Sequence, residues 1–132
     1  MHGVRGFHLV ALITVLALLE YSILGVMVGR ARGTYNVKAP ATTGDPVFER
    51  YFRVHQNTLE ALVVFIPALW IFGLTLSMRV AALLGLIFLI GRVVYARGYF
   101  EDPEKRGPGA MMTAVANILL ILGGLVGVLF RW

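Results

Sequence analysis

Residues 48–73 read FERYFRVHQNTLEALVVFIPALWIFG, a stretch in which ionisable and amide side chains lead directly into a long apolar run. Residues 59–76 are almost wholly apolar, and an α-helix of about 20 such residues crosses a hydrocarbon core about 30 Å thick. Hydrocarbon penalises Arg53, Asn57 and Glu60, so their position at the start of this run needs an explanation. The stretch therefore predicts a membrane-spanning helix with a polar site at one end.

The composition extends this interpretation to the whole chain. Its 132 residues are 58% hydrophobic and 14% charged, whereas roughly a quarter of the residues in a soluble domain are charged. Four runs are long enough to span a membrane, and we place them at residues 7–29, 58–76, 79–99 and 109–130. We therefore expect a single domain over residues 1–132, an all-α four-helix bundle integral to the membrane.

The first run also has features of a secretory signal peptide, because a basic start precedes an apolar centre. No small-x-small cleavage pattern follows, and the apolar character continues through ILGVMVG at residues 23–29. We expect a first helix that is retained.

The basic residues are unevenly distributed between the connections. The first and third connections carry eight of the twelve Lys and Arg residues, and the second carries only Arg79. By the positive-inside rule the first and third connections face the cytoplasm, and the polar site lies toward that side. The basic residues flank spans and do not alternate with aromatics on a soluble face, which argues against a nucleic-acid partner and favours contact with membrane lipids.

The polar residues before the second run share one helical face. If the helix begins near residue 47, Arg53, Asn57 and Glu60 are spaced i, i+4 and i+7. His55 points to nearly the opposite side, where it matters only if a neighbouring subunit is present.

A second polar stripe lies in the third run, where Arg92, Tyr95 and Tyr99 are spaced i, i+3 and i+7. Arg106 follows at the entry to the fourth run, either as part of the site or as a surface charge paired with the acids of EDPEK. Taken singly, each residue has an ordinary role in a membrane helix, such as contact with headgroups. Taken together, two stripes at the same depth indicate a binding site.

The residue types suggest the ligand. The chain has no cysteine, so any reactive thiol must come from a bound molecule, and no metal site is expected. Arginine binds carboxylates in a bidentate fashion, while Glu60 suits an ammonium group and Asn57 an amide. A zwitterionic peptide has these groups.

Two segments, PATTGDPVFERYFRVHQNTLEA at 40–61 and GRVVYARGYFEDPEKR at 91–106, resemble the MAPEG superfamily, the membrane-associated proteins in eicosanoid and glutathione metabolism. The resemblance is greatest to the branch of microsomal glutathione transferases and cysteinyl-leukotriene synthases. It implies a homotrimer of four-helix subunits that hold glutathione, as co-substrate, between neighbouring subunits.

The resemblance also assigns roles to residues. Arg106 would be the catalytic residue that stabilises the glutathione thiolate. The residues that would bind glutathione are Arg32, Arg53, His55, Asn57, Glu60, Arg92, Tyr95 and Tyr99. His55 stands where the leukotriene-synthesising members carry Gln, and Ala61 replaces an aromatic residue of those members, so the resemblance does not extend to the acceptor.

The implied activity is that of a glutathione transferase or glutathione-dependent peroxidase acting on lipophilic electrophiles or lipid hydroperoxides. The alternative is a non-catalytic lipid-binding protein of the same superfamily. A small transporter is a third reading, but it would distribute its polar residues through the depth of the membrane. Glu20 lies mid-span outside the family motif, and we expect it to pack against a polar partner such as Asn117.

Overall fold

Four long helices make up the fold of residues 5–131, the part of the chain that the computed structural model describes. Helix α1 spans Phe7–Tyr35, α2 Pro46–Thr75, α3 Met78–Glu101 and α4 Gly107–Phe130, and a 3-10 turn at Pro103–Arg106 precedes α4. Short connections make sequential helices antiparallel. The C-terminal ends of α1 and α3 therefore lie at the same end of the bundle as the N-terminal ends of α2 and α4.

The apolar surface of the bundle faces outward. All four helices are long and apolar enough to cross a membrane, yet only 22% to 44% of the residues in their apolar windows are buried within the protein. Exposed side chains such as Val63 and Leu83 would be costly in water and suit hydrocarbon. The predicted membrane four-helix bundle is confirmed.

The helices are longer than the predicted spans. α2 begins at Pro46 because Asp45 caps it, its Oδ1 accepting hydrogen bonds from the backbone N–H of Val47 at 2.8 Å and of Phe48 at 3.0 Å. α1 continues to Tyr35, where Asn36 ends it in the left-handed conformation with φ 56°. Most of residues 30–53, which were expected to form the first connection, are therefore helical. Only residues 36–45 connect α1 to α2.

The core is formed by a narrow row of buried side chains on one face of each helix. On α1 the buried residues are Val10, Ile13, Ala17, Leu24, Val28 and Ala31, which follow helical spacing. At mid-bundle the rings of Phe65 and Phe88 stack with their centroids 3.7 Å apart. This packing fixes α2 against α3, the two helices that carry the polar stripes.

Two glycines bring the end of α3 against the start of α4. A Cβ atom at Gly109 would lie 2.6 Å from Tyr95 Cβ and closer still to the Tyr95 backbone. A Cβ at Gly98 would press against the carbonyl group of Lys105. Only glycine permits this approach, which sets the 3-10 turn beside the last turns of α3.

Candidate functional site

A cleft of about 650 Å³ opens at the end of the bundle where the polar stripes lie. The first turns of α2, the last turns of α3 and the 3-10 turn form its walls. It is lined by Pro46, Glu49, Arg50, Arg53, Gln56, Asn57, Glu60, Tyr95, Tyr99, Pro103 and Arg106.

Six of the nine residues predicted to act on glutathione line this cleft. They are Arg53, Asn57, Glu60, Tyr95, Tyr99 and Arg106. The two stripes meet because α2 and α3 are antiparallel and pack directly together. The structure therefore supports the prediction that separate polar stripes form one cavity.

Arg92 lies behind the wall of the cleft and positions one of its lining residues. Its side chain is only 2% exposed, and its Nη2 donates to Asn57 Oδ1 and to Thr58 Oγ1, both at 2.8 Å. Its Nη1 donates to Thr113 Oγ1 at 3.2 Å. Arg92 thereby joins α2, α3 and α4 and fixes the Asn57 amide at the edge of the cleft.

The two tyrosines are held from the same side. The Arg92 guanidinium carbon lies 4.4 Å from the ring centroid of Tyr95, a cation–π distance. Tyr95 is buried and its ring centroid lies 5.7 Å from that of Tyr99. The tyrosine nearest to Arg92 is thus the more rigidly placed of the pair.

The cleft has guanidinium groups that are not neutralised by carboxylates. Among residues 5–131 the single ion pair within 4.0 Å joins Lys105 to Glu101. Arg106 donates instead to the Pro103 carbonyl oxygen at 2.7 Å. The surface ion pair considered for Arg106 is therefore not formed, and both Arg53 and Arg106 are available to an anion.

Arg32 and His55 do not line this cleft. Arg32 donates to the Val37 carbonyl oxygen at 3.3 Å and to the Ala41 carbonyl oxygen at 2.7 Å. The ring of His55 stacks on Tyr21 of α1 with centroids 4.3 Å apart, which confirms that His55 faces away from Arg53. Both remain predictions for the neighbouring subunit's cleft.

Sequence reasoning missed several residues that shape the cleft. Gln56 lines the cleft. Its position next to Asn57, a predicted site residue, could have indicated this. Arg50 donates to the carbonyl oxygens of Phe100 at 3.1 Å and Glu101 at 3.2 Å, and so ties α2 to the end of α3. Thr113 gave no signal, because a threonine in a membrane helix is ordinary.

The expected pairing of Glu20 with Asn117 is wrong, since residues 5–131 show no hydrogen bond between them. Asn117 Nδ2 donates to the Ala61 carbonyl oxygen at 3.4 Å. Glu20 instead lies in a groove of about 270 Å³ between α1 and α3, which Arg92 also lines. Within the described residues, there is no cluster of three or more His, Cys, Asp or Glu side chains that could hold a metal ion.

The sequence is similar to one known family of proteins. The family model described as MAPEG family matches residues 10–126. A Synechocystis protein named "Uncharacterized protein sll1147" is 45% identical over 121 residues, which cover 92% of this chain and 88% of that protein. Microsomal glutathione S-transferase 2 of Homo sapiens is 38% identical over 120 residues, covering 91% of this chain and 82% of the relative. Leukotriene C4 synthase of Rattus norvegicus is 35% identical over 124 residues, which cover 94% of this chain and 83% of that relative.

Proposed function

Because this chain belongs to the MAPEG family, we propose that it is a membrane-embedded glutathione transferase that activates the glutathione thiol as a thiolate. The observation that carries the proposal is the pair Arg53 and Arg106, two guanidinium groups that line one cleft and form no ion pair within residues 5–131. Relatives named as a glutathione S-transferase and a leukotriene C4 synthase support the same chemistry.

The cleft offers a partner for each charged group of glutathione. Arg53 binds a carboxylate, with Arg50 nearby in the same wall. Glu60 binds the ammonium group. Asn57, held by Arg92, is placed to hydrogen-bond a peptide amide. These contacts orient the tripeptide and leave its thiol for Arg106.

Arg106 is the residue that we assign to chemistry. A free thiol ionises near pH 8.5, so at neutral pH most of it is not nucleophilic. A guanidinium beside the sulfur favours the thiolate, and the thiol proton passes to solvent. The first turn of α4 begins at Gly107 without a side-chain cap, so the positive end of that helix adds to the charge of Arg106.

The thiolate then has two possible targets. Attack on an electrophilic carbon forms a C–S bond and expels a leaving group that carries away the electron pair. Attack on a lipid hydroperoxide cleaves the O–O bond and gives an alcohol and a glutathione sulfenic acid, which a second glutathione converts to the disulfide and water. We propose both activities for the same site, with an acceptor that enters from the bilayer.

The functional unit that we propose is a homotrimer with the cleft at the subunit interface, on the cytoplasmic side. Arg32 and His55 are outside their own cleft, which is consistent with a role in the neighbour's. The alternative, a lipid-binding protein without catalysis, would not require Arg106 free of carboxylates at the cleft.

The test is Arg106→Ala in purified protein, with glutathione binding measured by calorimetry and thiolate by ultraviolet absorbance. We expect the thiolate signal to be largely lost and turnover of a chlorinated nitrobenzene to fall by about tenfold or more, since each pKa unit of the thiol corresponds to about 1.4 kcal/mol. Glutathione affinity should fall less, because Arg53 and Glu60 are retained.

Arg106→Lys should recover part of the activity, because it keeps the charge without the planar fork. Lys105→Ala is the matched control, since Lys105 is an exposed neighbouring cation paired with Glu101, and it should behave as the parent. Turnover by Arg106→Ala equal to that of the parent would exclude Arg106 as the activating group. A lipid hydroperoxide assayed in parallel separates conjugation from peroxide reduction.

A further inference from the structure

Glu20 is a partly buried acid that the proposed mechanism does not use. It lies at mid-length in α1 and lines the groove between α1 and α3, whose other walls are mostly apolar, among them Ile23, Met27 and Phe100. Its Oε1 atom is buried and has no hydrogen-bond partner within residues 5–131. A carboxylate in such a place is costly unless it interacts with a cation.

Arg92, a cation in the same groove, also has a buried polar atom, its Nε, without a hydrogen-bond partner among the described residues. All three acceptors of its terminal nitrogens, on Asn57, Thr58 and Thr113, are uncharged. A guanidinium only 2% exposed therefore has neutral contacts on one side and an unused donor on the other.

We infer that Glu20 is a positioning residue for the glutathione cleft, acting through Arg92. Glu20 is the one acidic residue among the groove's lining side chains. Its carboxylate and the buried Arg92 guanidinium line one groove, and each has a buried polar atom without a hydrogen-bond partner among residues 5–131. The two groups are farther apart than a direct ion pair, but in a low-dielectric interior their attraction extends over such a gap.

The same guanidinium transmits the effect to the cleft. Arg92 lines the α1–α3 groove, and its Nη2 atom donates to Asn57 Oδ1 at 2.8 Å. The attraction of Glu20 adds to these hydrogen bonds in favouring one orientation of the guanidinium. Without the carboxylate, the guanidinium loses that restraint, and the Asn57 amide is less well placed for a ligand.

Arg97 is the competing partner for Glu20. It also lines the groove, but its side chain is exposed, where a cation is hydrated and pairs weakly with a carboxylate. The structure gives Arg97 no bond to a cleft residue. If Glu20 acted only through Arg97, glutathione binding would not depend on it.

The inference rests on the proposed function, so the experiment first measures glutathione binding to the parent protein in nanodiscs by calorimetry. Glu20→Gln, Arg92→Gln and the double variant then form a double-mutant cycle, with Arg97→Gln as matched control. We expect Glu20→Gln to weaken affinity by about threefold to tenfold in the parent and by less than about 1.5-fold in the Arg92→Gln background. The kcat at saturating glutathione should change less than about twofold, because Arg106 is untouched.

Each other outcome has a defined meaning. A parent that does not bind glutathione refutes the proposed function itself. A parent that binds, with equal losses in both backgrounds or tighter binding in Glu20→Gln, refutes the role of Glu20 through Arg92. A loss in Arg97→Gln as large as in Glu20→Gln assigns the carboxylate to Arg97. Glu20→Asp keeps the charge and should retain most of the affinity, and it provides the same comparison if Glu20→Gln does not fold.

Discussion

Replacing Gly109 by alanine tests whether the contact between α3 and α4 sets the geometry of the cleft. The added Cβ would lie 2.6 Å from Tyr95 Cβ, whereas ordinary contact begins at 3.4 Å. The difference, 3.4 − 2.6, requires the helices to separate by at least 0.8 Å at this point. Because Tyr95 lines the cleft and Arg106 immediately precedes α4, this separation changes the distance between them.

The stability change is the sum of two opposing effects. Overpacking costs about 1–3 kcal/mol, and alanine in a helix is more favourable than glycine by up to about 1 kcal/mol. The clash is with backbone atoms, which cannot rotate away, so we expect a net loss of about 2 kcal/mol. The activity should suffer more, because a displacement of about 1 Å costs an enzyme on the order of 100-fold.

Gly107→Ala is the matched control on the same turn of α4. A Cβ at Gly107 meets no described atom within 4 Å, and the residue is already helical with φ −53°. Thermal unfolding and glutathione calorimetry on both variants give the comparison. If Gly109→Ala unfolds and binds as Gly107→Ala does, the close helix contact does not determine the site.

Two further predictions concern topology and assembly. Cysteines introduced at Thr42 and Ser77 should be labelled from opposite sides of oriented membranes, with no background because the chain has no cysteine; labelling from one side would overturn the proposed orientation. Mixed trimers of Arg32→Ala and Arg106→Ala subunits should regain activity that each variant lacks alone, since we assign these residues to one cleft from different chains. Full activity of a monomer in mild detergent would contradict the shared site.

Local helical geometry made part of the site predictable. The spacing of Arg53, Asn57 and Glu60 places them on one face of any α-helix, and the structure has all three in the cleft. The number of spans followed equally from run length. The ends of the helices could not be predicted in this way. The polar first turns of α2 form because Asp45 caps the helix, and the length of the apolar run does not indicate them.

Contacts between helices were not predictable from spacing. Nothing in the sequence showed that Arg32 would donate to loop carbonyl oxygens or that Glu20 would line a groove with Arg92 and not pair with Asn117. GPG at residues 107–109 is typical of a turn, yet these residues begin a helix whose third residue presses against Tyr95. Such outcomes depend on how α1 and α4 pack, which a single chain's periodicity does not specify.

Helix α4 contributes no lining residue to the cleft. Its Gly109 nevertheless packs closely against Tyr95, and its Thr113 accepts a hydrogen bond from Arg92. During synthesis α4 leaves the ribosome after α1, α2 and α3. A nascent chain ending at residue 106 would already contain every side chain of the cleft. It would lack the support that α4 gives to Tyr95 directly and to Asn57 through Arg92. The cleft therefore takes its final shape only after α4 has inserted and packed against α3.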